Sequence, residues 1–265
     1  MESRTEGIYT HCIVREPCPE MMDGLTTAGL GIPDYHLACE QHLAYMKALE
    51  ICGTNVITLP ADSRFPDSVF VEDPAVLLGN AAVLTMPGAM SRRGEVDGMK
   101  EVLSEYFPVL EKIHLPGTLD GGDVIEIEDH YFIGLSGRTN REGARQLTLI
   151  LEGYGKTSET ITLKNYLHLK TGIACLGNHT LLVAGELKQC SEFREFKRIE
   201  VDDEEEYAAN SIMINGRVIT PAGFPKTQEK LELAGYETIP VDTSEFRKLD
   251  GGVSCLSLRF RTGKQ

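Results

Sequence analysis

The 265-residue sequence predicts an α/β fold built as a propeller of five pseudo-symmetric modules around a central channel. Two observations carry that prediction. One hairpin pattern occurs four times, with turns at Gly79, Glu128, Gly177 and Asn215, so the spacings are 49, 49 and 38 residues. Periods of this size mark an array of similar supersecondary units. The leftover segments at the two ends also assemble into a fifth unit.

Each hairpin is legible on its own. Leu-Leu-Gly-Asn-Ala-Ala-Val-Leu-Thr-Met-Pro-Gly (77–88) reads as strand, two-residue turn, strand and glycine. Segments 125–137, 175–185 and 212–223 repeat the pattern, turning at Glu128-Asp129, Gly177-Asn178 and Asn215-Gly216. Gly-Asn or Asn-Gly at three of the four turns supplies the positive φ that tight hairpins demand.

Helices fill the intervals. Residues 91–107 place Met99, Val102, Leu103 and Tyr106 on one face, and 140–152 place Ala144, Leu147 and Leu151 likewise. A helix over 225–234 opens on Pro225 and stops at Gly235; a longer one over 34–52 stops at Gly53. The fifth module then takes a strand from Ile8 to Val14, the helix 34–52, a strand from Asn55 to Leu59 and the terminal strand Cys255 to Phe260. Closing the ring this way leaves few exposed sheet edges. Separate α/β layers without closure are the alternative. No linker or low-complexity segment divides the chain, so residues 1–265 read as one domain.

Composition narrows the function. A formal net charge of -14 argues against nucleic-acid binding, which needs a basic face, and against an anionic membrane surface. The first residues lack a basic-then-apolar leader, and no apolar run reaches the roughly 18 residues of a membrane span. The expected location is the cytoplasm. Seven scattered cysteines without a Cys-x-x-Cys pair suggest neither a disulfide frame nor a zinc knuckle.

The candidate chemistry gathers at a few places. Cys255 follows Leu249-Asp250-Gly251-Gly252, which reads as a tight turn presenting a thiol at a strand's start, the glycines clearing room for a ligand. A cysteine in an apolar strand is otherwise a core residue. His168 lies in Asn-Tyr-Leu-His-Leu-Lys (165–170), a strand-like alternation with Tyr166, His168 and Lys170 on one polar face. It is either a solvent-facing histidine or one aimed at the channel for proton transfer. In 65–73, Asp67, Glu72 and Asp73 flank the short apolar strand Val69-Phe70-Val71. Adjacent carboxylates repel unless a cation lies between them, and a planar guanidinium is such a cation. Thr-Leu-Asp-Gly-Gly-Asp (118–123) repeats the Asp-Gly-Gly turn, which is either a structural repeat alone or one in which Asp120 also orients His168 as the third member of a triad. Arg92 and Arg138 follow the first and second hairpins, where they are surface arginines or carboxylate ligands.

Six separated motifs, in order along the chain, resemble the dimethylargininases (dimethylarginine dimethylaminohydrolases). They are Phe-Pro-Asp-Ser-Val-Phe-Val-Glu-Asp, Pro-Gly-Ala-x-Ser-Arg-Arg, Gly-Thr-Leu-Asp-Gly-Gly-Asp-Val, Gly-Leu-Ser-x-Arg-Thr-Asn, Leu-His-Leu-Lys and Gly-Gly-x-Ser-Cys. That family belongs to the guanidino-group-modifying superfamily, whose pentein fold is a five-module α/β propeller.

The resemblance implies Cys255 as nucleophile, His168 as general acid and base, and Asp120 as its orienting partner, where some relatives carry glutamate. It implies Glu72, Asp73 and Asp250 around the guanidinium, and Leu249 as a further substrate-binding residue. Asp67 and the Leu25 backbone would hold the α-amino group, and Arg92 with Arg138 the carboxylate. The expected reaction converts N-omega-methylated arginine to citrulline and an amine through a thiouronium on Cys255. It needs no cofactor and no metal. The expected partner is the small-molecule methylated arginine, with no nucleic acid or membrane, and a homodimer stays open. An arginine deiminase, or a non-catalytic arginine-binding or thiol-sensing protein, are the alternatives the same residues leave.

Overall fold

The computed structural model describes residues 8–262. The chain begins with β1 (His11–Arg15), α1 (Tyr35–Ile51) and β2 (Asn55–Leu59). Next come β3 (Ala75–Leu78), β4 (Ala81–Leu84), α2 (Glu95–Tyr106) and β5 (Val109–Lys112). The third unit is β6 (Val124–Ile127), β7 (His130–Leu135), α3 (Arg141–Gly153) and β8 (Thr157–Thr162). The fourth is β9 (Ile173–Cys175), β10 (Thr180–Val183) and β11 (Lys197–Glu200). Then follow β12 (Ile212–Ile214), β13 (Arg217–Pro221), α4 (Pro225–Leu233), β14 (Glu237–Val241), the short α5 (Ser244–Arg247) and β15 (Leu258–Phe260).

These strands form five three-stranded sheets of one design. A hairpin pairs two strands antiparallel, and the second of them takes a third strand in parallel, as β3-β4-β5 and β6-β7-β8 do. The first sheet is assembled from both chain ends, in the order β15-β1-β2. The hairpin turns lie in left-handed backbone where the sequence demanded it, with φ of 53° at Gly79, 61° at Glu128 and 50° at Asn215.

A parallel crossover needs a dozen or more residues, and four of the modules fill it with a helix. Asp34 caps α1 by accepting from the N–H groups of His36 and Leu37, and Asn140 caps α3 through Gly143. Between β10 and β11 the crossover is instead two short 3-10 turns, Gly185–Gln189 and Ser191–Phe193. That leaner module accounts for the drop in spacing from 49 to 38.

Ring closure is visible in the packing. Each apolar cluster is shared by two neighbouring modules: Val76 and Leu78 of β3 pack with Val124, Tyr131 and Ile133 of β6 and β7. Ile125 and Phe132 then meet Leu181 and Val183 of β10, and Leu182 meets Val218 of β13. Ile212, Ile219 and Val241 meet Cys12, Val14 and Leu49, while Ile13, Leu258 and Phe260 return to Ala82 and Leu84. Five shared cores close a circle, so the open-layer alternative is excluded. The inner strands β3, β6, β9, β12 and β15 line a central cavity of about 170 Å³.

Three local expectations fail. Residues 65–73 form successive turns, with Val69, Phe70 and Val71 all buried, because local bonds from Ser68 N–H to the Phe65 carbonyl and from Phe70 N–H to the Asp67 carbonyl replace strand pairing. Residues 165–170 form no strand: His168 precedes a 3-10 turn, Leu169–Thr171. Cys255 sits in the 3-10 turn Ser254–Leu256, three residues before β15.

Candidate active site

The site is built by the segments that enter or leave the sheets: 67–73 before β3, Asp120 before β6, 167–168 before β9 and 249–255 before β15, with Leu25, Arg92 and Arg138 following β1, β4 and β7. The two Asp-Gly-Gly segments differ in conformation: Asp120 has a φ of -105° and opens the 3-10 turn Gly121–Asp123, whereas Asp250 has a φ of 58°. Their glycines are required by close packing. A Cβ on Gly122 would stand 2.9 Å from His168 Nδ1, and one on Gly251 would fall inside the Phe70 ring. The space beside Cys255 is therefore occupied by Phe70 and Asn210 on the glycine side, contrary to the expectation that these glycines admit a ligand.

A small cavity of about 20 Å³ is lined by Leu25, Asp67, Asp73, Arg92, Arg138, His168, Leu249 and Cys255, eight of the eleven residues singled out in the sequence, together with Phe70, Leu167 and Gly251. That volume holds about one water molecule. A covering segment closes it. Leu25 N–H donates to Asp67 Oδ1 at 3.0 Å, the Thr26 hydroxyl donates to the Lys248 carbonyl, and the Thr27 N–H and hydroxyl donate to Asp250 Oδ2.

His168 stands at the cavity wall with Nε2 at 3.1 Å from Asp120 Oδ2 and 3.9 Å from Asp73 Oδ1. Burial works against its charge, but Asp73, Asp120 and Asp123 outweigh it and push the imidazole up to about 9. Asp120 does not reach the cavity. It lies wholly buried behind His168, accepts from Gly88 N–H at 2.8 Å, and has Arg138 Nη1 at 3.8 Å. Burial raises its carboxyl, yet His168 and Arg92 hold it below the ordinary range.

Cys255 Sγ accepts the Gly252 N–H at 3.4 Å and has the Ser254 hydroxyl at 4.0 Å. Burial, then the charges of Glu72 and Asp73, push the thiol up to about 12. That raised value favours the neutral thiol at neutral pH. A bound cation facing Asp73 would cancel part of the charge that opposes the thiolate.

Arg92 is more committed than the sequence suggested. Nε and Nη2 form a fork on Glu95 at 2.9 and 2.8 Å, Nη1 meets Asp73 at 2.5 Å, and Nη2 also donates to the Phe70 carbonyl at 3.0 Å. One Nη1 hydrogen remains for a ligand. Arg138 is half-buried, with its guanidinium 3.8 Å from Asp120 as its ion pair.

Glu72 and Asp250 stand outside the cavity wall. Glu72 takes Lys170 Nζ and Arg259 Nη2 on Oε1, both at 2.9 Å, and the Ser254 hydroxyl on Oε2 at 2.8 Å. It thereby divides the site from the channel cavity. Asp250 turns to Thr27 and holds the cover. Glu95, Lys170, Asn210 and Arg259 were missed as supporting residues. Only Glu95 left a signal, the i,i+3 spacing to Arg92. Asp73, Asp120 and His168 could together hold a cation, but Arg92 already supplies positive charge to Asp73.

Such a site joins a thiol, an imidazolium and a carboxylate around a pocket ringed by two arginines and Asp67. No protein-family model matches the chain. It is 51% identical over 254 residues to the N(G),N(G)-dimethylarginine dimethylaminohydrolase of Pseudomonas aeruginosa, spanning 96% of this chain and 100% of that protein. The chain belongs to the dimethylarginine dimethylaminohydrolase family. The Streptomyces coelicolor member is 38% identical, over 94% of this chain and 96% of its own. Among solved structures, a cysteine-to-serine variant of the P. aeruginosa family member complexed with citrulline superposes with a TM-score of 0.95 at 50% identity, covering 96% of this chain and 100% of that one. The N-terminal domain of a cyanobacterial arginine dihydrolase, 20% identical, shares the fold with a TM-score of 0.83. Among the described residues, no helix of this family member is long and apolar enough to cross a membrane.

Proposed function

We propose that the chain hydrolyses Nω-methylated arginine to citrulline and methylamine or dimethylamine. The observation that carries this reading is the meeting of Cys255, His168 and Asp73 at one closed cavity, with Asp120 on His168 Nε2.

The residue roles are those the family resemblance implies, and the positions of the groups around the cavity support them. Asp73 faces the guanidinium, and Asp67 with the Leu25 segment faces the α-amino group. Arg138, with the one uncommitted N–H of Arg92, faces the carboxylate. Glu72 acts on the reaction through Ser254 and its charge, and Asp250 through the cover. Cys255 gives its thiol proton to solvent as the bound cation's charge offsets Asp73 and Glu72, and the thiolate adds to the guanidinium carbon, whose C–N π pair passes to nitrogen. His168, protonated in the resting site, gives its proton to the departing amine as the C–N bond breaks. Water then adds to the thiouronium carbon and gives a proton to His168. The C–S bond breaks, the hydroxyl's proton passes to the departing sulfur to restore the thiol, and the former guanidinium carbon leaves as the urea carbonyl of citrulline.

The cavity of about 20 Å³ is smaller than an amino acid, and the segment Leu25–Thr27, tied to Asp67, Lys248 and Asp250, is the part of its wall whose displacement would widen it. Seven scattered cysteines without a Cys-x-x-Cys pair suit a reducing compartment, which supports a cytoplasmic location. We read the chain as one propeller domain because, among the described residues 8–262, every core is shared between modules. Light scattering of the purified protein decides between monomer and homodimer. The test of function is incubation with asymmetric dimethylarginine and assay of both products. Citrulline with dimethylamine is expected; ammonia from arginine at a higher kcat/KM would make it a deiminase.

A further inference from the structure

Asp123 is wholly buried, lines no part of the substrate cavity, and carries two bonds that lead to different walls of it. Its Oδ1 accepts the N–H of Leu169 at 2.9 Å, fixing the peptide that follows His168. Its Oδ2 accepts the Ser136 hydroxyl at 2.6 Å. That hydroxyl oxygen in turn accepts the N–H groups of Arg138 at 3.0 Å and Thr139 at 3.1 Å. Thr139 Oγ1 closes the circuit by accepting the N–H of Asp120 at 3.1 Å.

The surroundings fit a fixed strut. Gly134 of β7 flanks it, and a Cβ there would stand 2.8 Å from Asp123 Oδ1 and 3.0 Å from Leu169 Cβ. A carboxylate is needed because both acceptor oxygens are used and neither neighbour can accept in return: Leu169 N is a donor only, and the Ser136 oxygen already receives two N–H groups.

We propose that Asp123 is a positioning residue that sets the backbone of His168 through Leu169 and the backbone of Arg138 through Ser136. One buried carboxylate thus locks the proton donor and the carboxylate-binding arginine into a common frame. The inference rests on the roles given above to His168 and Arg138. Misplacement of a reacting group by about 1 Å can cost on the order of 10²-fold in rate, which sets the scale of what the strut protects.

The two arms can be cut separately. Ser136→Ala removes the Arg138 arm and leaves the Leu169 bond, so KM for asymmetric dimethylarginine should rise about ten-fold with kcat within about two-fold of wild type. Asp123→Ala removes both, so kcat should also fall, by about ten- to hundred-fold. Arg138→Ala is the control. If it leaves KM unchanged, the role given to Arg138 is wrong. If it raises KM while Ser136→Ala does not, the inference alone fails. A Ser136→Ala variant that loses kcat and KM performance together also overturns it, since that is the mark of general loosening. Should Asp123→Ala not fold, the Ser136 pair of measurements still decides.

Discussion

Asp120 meets His168 at Nε2, 3.1 Å away, from a position with no exposure at all, while Asp73 stands 3.9 Å from the same nitrogen. Two carboxylates on one ring nitrogen make the imidazolium the resting form. The ring should titrate near 9 in the folded protein, against about 6.5 when unfolded. A raised folded value means that the stabilisation is complete below the unfolded pKa and disappears as pH rises through about 9. Histidine NMR on the free protein measures this directly; a midpoint at or below 6.5 would contradict the pairing.

Asp120→Asn should lower that midpoint and reduce kcat by about 10²-fold, as expected when a proton donor loses its orienting partner. The alkaline limb of the kcat profile should move to lower pH with it. A rate loss with an unmoved limb would assign Asp120 to the fold alone, through its bond to Gly88.

Much of this was legible in the chain, for a physical reason. Hairpin turns are local, so Gly79 and Asn215-Gly216 announce their φ values within two residues. The partners of Glu72 are not local: Lys170 lies 98 residues away and Arg259 lies 187. No spacing rule spans such distances, so Glu72 read as a guanidinium ligand and not as the anchor of two cations. His168 was misjudged in conformation because Leu167-His168-Leu169 alternates like a strand, whereas Leu169 is buried by a 3-10 turn that Asp123 caps.

The thiol gives a second measurement. With Cys255 pushed up to about 12, alkylation of the empty enzyme by iodoacetamide should be slow at neutral pH and rise with pH well beyond 8.5. Glu72→Gln removes one of the charges responsible and should lower the apparent pKa. Fast labelling at pH 7, unchanged in that variant, would show that burial and Glu72 do not govern the sulfur.

Cys255→Ser should abolish turnover while the protein still folds and binds substrate, since serine keeps the size of the group and only the nucleophile is lost. Circular dichroism and calorimetric titration separate the two outcomes. More than a few per cent of residual activity would place the nucleophile elsewhere.

The two arginines should part company on mutation. Arg92 is paired with Glu95 and Asp73 in a buried network, both side chains of the Arg92–Glu95 pair being 5% exposed or less. Removing one partner of a buried ion pair costs about 3–5 kcal/mol, because the carboxylates left behind lose their counter-ion without regaining water. Arg92→Ala should therefore lower the melting temperature markedly and impair turnover of every substrate, including a methylguanidine with no carboxylate. The Arg138 guanidinium has Asp120, at 3.8 Å, as its ion pair among the described residues, and the side chain is partly exposed. Arg138→Ala should leave the melting temperature nearly unchanged and raise KM for dimethylarginine while sparing the fragment. Thermal melts and paired kinetics on both variants read the difference. If Arg92→Ala is as stable as wild type and selective for the carboxylate, the buried fork on Glu95 does not hold that arginine, and its assignment as a largely internal counter-ion is wrong.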